Sequence, residues 1–181
     1  MPKIFVFGLD SAGKTTIIHY LINQEITTNL HPTLGLQINK LNLKSLDFSI
    51  WDAPGQKSLH STWNRGFEGA ELLIFVLDIS DPARFVEAKK VFNDFLGAIH
   101  SVETPLIICL HKVDLKNAQA NVKEAKRLLK LDVKSKRQMF FLETTINAPE
   151  TIELIRYLMQ LLISKEFTEG ITDGILNTTQ K

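Results

Sequence analysis

Eight residues, Gly8-Leu9-Asp10-Ser11-Ala12-Gly13-Lys14-Thr15, constrain this chain more than any other part of it. They fit G-x-x-x-x-G-K-[ST] and lie between a short β-rich run, Ile4-Phe5-Val6-Phe7, and residues 16–22, which read as a helix. A strand, a glycine-bounded loop and a helix in that order turn backbone amides inward, and the helix N-terminus adds positive potential. The loop is therefore built to hold phosphate oxygens, with Asp10, Ser11, Ala12, Gly13, Lys14, Thr15 and Thr16 as the cradle. Lys14 is placed for the β and γ phosphates and as a catalytic cation, and the Thr15 hydroxyl for Mg²⁺.

The rest of the chain repeats the alternation of strand and helix. Residues 36–43 and 46–51 each alternate apolar with polar residues, Leu36, Ile38, Leu41 and Leu43 marking the first, and Lys44-Ser45 between them suits a tight turn. Residues 72–77 and 106–110 are continuous apolar runs, as strands buried on both faces require. Asp81-Pro82 opens a helix between them, with Phe85, Val86, Ala88, Val91, Phe92, Phe95 and Leu96 as its expected buried face. A basic helix at 122–130, a strand at 139–142 and a helix starting near Pro149 complete the order. Such alternation predicts a mainly parallel sheet covered on both sides.

Two further motifs fall at strand ends. His111-Lys112-Val113-Asp114 follows the buried run 106–110. An aspartate there can accept hydrogen bonds from the N1 and N2 donors of guanine, a pair adenine does not offer, and a site built around such donors rejects the base lacking them. Lys112 lays its aliphatic stem over the base. Trp51-Asp52-Ala53-Pro54-Gly55-Gln56 ends another strand, so Asp52 is placed to hold Mg²⁺, the Gly55 amide to reach the γ-phosphate and Gln56 to orient water. Pro32-Thr33-Leu34-Gly35 offers a second hydroxyl, Thr33, for the metal. A P-loop kinase or ATPase is the adenine-binding alternative.

Composition excludes other classes. Lys and Arg number 21 against 20 Asp and Glu, and this +1 charge lacks the dense basic footprint of a nucleic-acid binder. One cysteine, Cys109, forms no internal disulfide, which suits a reducing, cytoplasmic location. No apolar run approaches the roughly 18–20 residues of a membrane span. The balance is uneven along the chain: residues 112–137 carry nine basic side chains against three acids, +6 locally, leaving −5 elsewhere. The expected form of that excess is a solvated helix face.

The phosphate loop, with Pro32-Thr33-Leu34-Gly35, Trp51-Asp52 and Gly55-Gln56, resembles small GTPases of the Arf and Arf-like group. The likeness continues through Trp63, Phe67 and Phe75-Val76-Leu77-Asp78, and the order of elements covers about residues 3–164. In the second half, His111-Lys112-Val113-Asp114-Leu115 is similar to the H-K-x-D variant of Rag-type GTPases, as is Thr144-Thr145-Ile146 followed by Glu150-Thr151. The resemblance implies an α/β fold, the G domain of P-loop NTPases. Its sheet is mainly parallel and six-stranded, with one antiparallel edge strand and helices on both faces. That domain would span residues 1–165, with 166–181 as a frayed tail.

It also implies a GTP/GDP switch with slow Mg²⁺-dependent hydrolysis, in which Thr144 and Thr145 meet the guanine oxygen through backbone amides. Exchange factor, activating protein and effectors would bind the switch regions. The alternative it leaves open is a Rag-like nucleotide-dependent scaffold, a heterodimer subunit with negligible turnover.

Several positions depart from that pattern. His111 stands for the asparagine that commonly ties the base to the phosphate loop, and a neutral imidazole keeps part of the tie at a cost of about 1 kcal/mol. Pro54 stands where glycine is common and stiffens the start of the second switch. Residues 23–30 contain no arginine, so no finger in cis comes from that loop and intrinsic hydrolysis is expected near ~10⁻⁴ s⁻¹. Only Met1-Pro2-Lys3 precedes Ile4, position 2 is not glycine and no prenylation cysteine ends the chain, so no membrane anchor is expected. Of the aromatic trio that Arf relatives use for effectors, Trp51 is kept, while Leu36 and Gly66 replace the other two.

Overall fold

In a computed structural model the chain is described over residues 1–27, 30–43, 46–99, 103–129 and 137–163. The turn expected at Lys44-Ser45 and the tail expected at 166–181 lie outside the described residues. Six strands form one sheet: β1 (Lys3–Phe7), β2 (Gln37–Leu43), β3 (Leu46–Asp52), β4 (Leu72–Asp78), β5 (Leu106–His111) and β6 (Met139–Thr144). Their order is β2-β3-β1-β4-β5-β6, with only the edge strand β2 antiparallel to its neighbour. The helices are α1 (Lys14–Asn23), α2 (Trp63–Gly66, continuing a 3-10 turn at Lys57–Thr62), α3 (Phe85–Ala98), α4 (Ala118–Leu128) and α5 (Glu150–Ile163).

The continuous apolar runs become two cores because strand side chains alternate between faces. On one face Phe5 and Phe7 of β1 join Leu73, Phe75 and Leu77 of β4, packed under α3 and α4 by Phe92, Phe95 and Ala125. On the other, Ile4 and Val6 join Ile74, Val76 and Cys109, packed under α1 and α5 by Ile17, Leu21, Ile155 and Met159. Phe7 is the hub of the first core, with ring centroids 4.2 Å from Phe95, 5.0 Å from Phe75 and 5.7 Å from Trp63. Each such buried phenylalanine contributes about 1.5–3 kcal/mol relative to an exposed one.

Three expectations need correction. Val86 is 76% exposed, because the buried stripe of α3 runs through Phe85, Ala88, Phe92 and Phe95, and Val86 falls one residue off it. In β2, Leu41 and Leu43 are buried but Ile38, of opposite parity, lies across from Trp51 and is 58% exposed. The basic segment is not one solvated face: Lys126 pairs with Glu143 at 2.8 Å, Arg137 is buried, and residues 130–136 lie outside the described residues. No described helix is long and apolar enough to cross a membrane.

Parallel strands of one sheet end on the same edge. The C-terminal ends of β1, β3, β4, β5 and β6 therefore bring residues 8–15, 52–56, 78–84, 111–114 and 144–147 together.

Candidate functional site

The loop from Gly8 to Gly13 leaves β1 and runs directly into α1, whose first residue is Lys14. Gly13 caps the helix with φ +97°, a conformation that side chains resist. A Cβ there would also stand 2.4 Å from His111 Cδ2, so the imidazole rests on the bare backbone of the loop. Lys14 is buried, and its ammonium donates to the Leu9 carbonyl at 2.7 Å, which keeps it inside the loop. Burial brings its pKa down to about 8, against the pull of Asp52 and Asp10. Ala12 differs from its neighbours: its side chain belongs to the core beneath, so only its backbone can serve a ligand.

In front of the loop is a cavity of about 280 Å³. Its walls include Asp10, Ser11, Gly13, Lys14, Thr15 and Thr16 of the loop, with Thr33, Gly55, Gln56 and Lys112 opposite. At its floor three oxygen groups converge. Thr15 Oγ1 donates to Asp52 Oδ2 at 2.7 Å and lies 3.0 Å from Thr33 Oγ1, which itself lies 3.4 Å from the same carboxylate oxygen.

Asp52 is fully buried, and its other oxygen, Oδ1, has no hydrogen-bond partner. Burial raises its pKa, opposed by hydrogen bonds from Thr15 and Thr33. A buried carboxylate with an unpaired oxygen beside two hydroxyls is a hard-oxygen donor set, and it fits Mg²⁺, which takes one or two carboxylates and completes its shell with phosphate and water.

The segment after β3 is fastened through backbone carbonyls. The Gly55 carbonyl accepts from the Asp10 amide at 3.1 Å and lies 2.8 Å from His60 Nε2, while the Pro54 carbonyl accepts from Trp63 Nε1 at 2.9 Å. A Cβ on Gly55 would stand 2.3 Å from the Asp10 nitrogen, so glycine is needed for this approach. Gln56 follows at the start of the 3-10 turn, exposed and on the cavity wall.

At the other end of the site, His111 is almost fully buried, and its Nδ1 shares a 3.0 Å hydrogen bond with Thr144 Oγ1. Burial, helped by the neighbouring Lys112 charge, pushes its pKa down to about 4. Lys112 has φ +65° and stretches back over the loop, donating to the Ser11 carbonyl at 2.8 Å and to Asp78 Oδ2 at 2.5 Å. Asp114 is exposed at the rim, its carboxyl held below the usual range by hydrogen bonds from Thr145 and Asn147. The Asn147 contact is 2.5 Å. The Thr144 side chain is spent on His111, and the Thr145 amide donates to Thr151 Oγ1 at 3.0 Å.

Four supporting residues were given no site role by the sequence: Asp78, which holds Lys112; Arg84, which holds Asp10; Asn147, which holds Asp114; and Thr151, which holds Thr145. Asp78 ends a buried strand, a position that signals function. Thr151 falls in the stretch that carries the Rag-type resemblance; nothing local marks Arg84 or Asn147.

The Arg84 guanidinium donates to Asp10 Oδ1 at 2.8 Å and to the Asp10 carbonyl at 3.2 Å. The two positions at which this chain replaces the aromatics of the resemblance, Leu36 and Gly66, are altered in shape. A Cβ on Gly66 would stand 2.6 Å from Phe5 and 3.1 Å from Leu36, so Leu36 fills the place a larger side chain would need. Trp51 lies beneath the Lys3 ammonium, 3.6 Å from its ring centroid.

Comparison with known proteins agrees with this geometry. The profile of the ADP-ribosylation factor family matches residues 1–162. ADP-ribosylation factor-like protein alp41 of Schizosaccharomyces pombe is 31% identical over 171 residues, covering 94% of this chain and 90% of its own. Among solved structures, the Arl6 BBS3 small GTPase of Trypanosoma brucei, with bound nucleotide analogue GppNp, superposes with a TM-score of 0.74. It is 20% identical, over 90% of this chain and 98% of its own, a likeness of fold.

Proposed function

Since the chain belongs to the ADP-ribosylation factor family of small GTPases, we propose that residues 8–16, 33, 52–56, 111–114 and 144–147 form one guanine-nucleotide site whose hydrolysis is slow. The observation that carries this reading is the meeting of Thr15, Thr33 and the half-unpaired Asp52 carboxylate at the floor of the phosphate cavity. Thr15, Thr33 and Asp52 would hold Mg²⁺, which when bound neutralises phosphate charge.

The chain's own groups do the rest. Lys14, held inside the loop, faces the β and γ phosphates, and the Gly55 amide meets the terminal phosphate. Gln56, on the cavity wall, orients the attacking water. Asp114, aimed by Asn147, accepts the N1 and N2 donors of guanine. With the amides on either side of it committed to side chains, the Ile146 amide is the donor this turn leaves for the guanine oxygen, the contact that the resemblance assigns to Thr144 and Thr145. His111 and Lys112 join this base-reading edge to the phosphate loop.

Loss of the γ-phosphate releases Thr33 first, since Gly55 keeps its bonds to the Asp10 amide and His60, and the switch works through the proteins that read those segments.

The test is single-turnover decay of bound GTP in the wild type and in Gln56→Leu. A wild-type rate of order 10⁻⁴ s⁻¹, slowed at least about tenfold by the substitution, supports the reading. Equal rates favour a nucleotide-dependent scaffold without useful turnover, and a wild-type rate near 1 s⁻¹ refutes slow hydrolysis.

A further inference from the structure

Among the described residues lining the phosphate cavity, Asp10 is the only acid exposed to it, since Asp52 is fully buried beneath Thr15 and Thr33. The Asp10 carboxylate is half exposed there, where a triphosphate brings more negative charge than a diphosphate. Left alone, this acid would repel the γ-phosphate more than the β-phosphate, and so would favour GDP. Arg84 answers that charge from behind. It is absent from the cavity wall and reaches Asp10 through a smaller space of about 40 Å³ on the far side of the loop, shared with Asp78 and Asp81.

One guanidinium nitrogen takes Asp10 Oδ1 at 2.8 Å and another the Asp10 carbonyl at 3.2 Å. Nε is anchored on Glu87 Oε2 at 2.9 Å, which sets the plane of the fork. The Arg84 contact holds the Asp10 carboxyl below the usual carboxylate range, so the acid carries its charge at neutral pH.

We propose that Arg84 is a specificity-determining residue that acts through Asp10: by occupying the carboxylate it allows the loop to accept GTP as readily as GDP. This inference rests on the nucleotide-site reading above. It makes Arg84 neither a hydrogen-bond donor to nucleotide nor a catalytic group. A residue that merely braced the loop would alter both affinities by one factor, so the informative quantity is their ratio.

The experiment measures Mg²⁺-dependent binding of GDP and of a non-hydrolysable GTP analogue, by displacement of a fluorescent GDP analogue. The proteins are the wild type, Arg84→Ala, Arg84→Lys, and Arg84→Ala combined with Asp10→Asn. In Arg84→Ala the preference for GTP over GDP falls by about two- to fivefold, the range expected of one partly exposed charge contact. Arg84→Lys keeps part of the preference, since the charge remains without the fork. Adding Asp10→Asn to Arg84→Ala restores the ratio, because the repelling charge is gone. Equal losses for both nucleotides, or a ratio that Asp10→Asn does not restore, overturn the inference while leaving the site intact. A wild type that takes neither nucleotide overturns the site reading and this inference with it.

Discussion

The burial of His111 makes a pH dependence that can be calculated before it is measured. The imidazole is 2% exposed, resting on Gly13 and bonded to Thr144, and its pKa falls to about 4 against an ordinary 6.5. The unfolded chain therefore binds a proton that the native protein refuses. Stability from this group is complete above pH 6.5 and is lost progressively as pH falls toward 4. At pH 5.0 the deficit spans about 1.5 pH units at about 1.36 kcal/mol each, or about 2 kcal/mol, while at pH 7.5 it is negligible.

His111→Asn removes the titrating group and leaves the rest of the chain. Losing the ring and its bond to Thr144, and gaining the amide in its place, shifts stability at every pH by a roughly constant amount, so the absolute difference carries no information about titration. The informative quantity is the change between pH 7.5 and pH 5.0 in urea-unfolding free energy of the GDP-loaded protein. Asp52, with its raised pKa, works in the opposite direction, but it does so in both proteins and cancels. Wild type should lose about 2 kcal/mol more than His111→Asn over that interval. A difference below about 0.5 kcal/mol would mean that the imidazole titrates as if solvated, and the packing of His111 on the loop would be refuted.

Two further outcomes follow from the same geometry. Thr15→Val keeps the shape and removes the hydroxyl shared with Thr33 and Asp52, so chelating divalent cations should accelerate GDP release about tenfold or more in wild type, equivalent to at least 1.4 kcal/mol. The valine variant, already fast, should barely respond; a response equal to wild type's would exclude Thr15 as a metal ligand. Asn147→Ala frees the Asp114 carboxylate, and GDP should lose about three- to fivefold of its advantage over inosine diphosphate, the worth of about one hydrogen bond. Equal losses for the two nucleotides would show that Asn147 shapes the turn without aiming the base-reading acid.

The parts of this site legible in the sequence are those whose signal is local. The loop at 8–15 carries its own punctuation, two glycines and a Lys-Thr pair between a strand and a helix; Asp52 ends an alternating strand, and Asp114 closely follows a continuous apolar run of strand length. The supporting residues carry no such mark. Arg84 is 74 positions from Asp10 and Asn147 is 33 from Asp114, so their pairing exists only once the sheet order is known. Val86, expected on the buried face, failed for a related reason. The face a residue occupies depends on which stripe of α3 docks, as the face of Ile38 depends on the register of β2 against β3, and neither is local.

What the structure adds is the way the phosphate loop is held. The end of β3 reaches it through the Gly55 carbonyl on the Asp10 amide, and the segment after β4 through Arg84 on Asp10. The end of β5 reaches it through Lys112 on the Ser11 carbonyl and His111 against Gly13. Three strand ends thus fix one loop from three sides, and a loop so fixed changes little when a phosphate leaves. The response must then fall on segments tied to it less firmly. Gly55 is held by the Asp10 amide and by His60, bonds that need no ligand. Thr33 is joined to the site by its hydroxyl, at 3.0 Å from Thr15 and 3.4 Å from Asp52. The longer of these contacts is weak by geometry, so on the proposed nucleotide site the strand-edge segment around Thr33, rather than the one around Gly55, is where the loss of a terminal phosphate should first be felt.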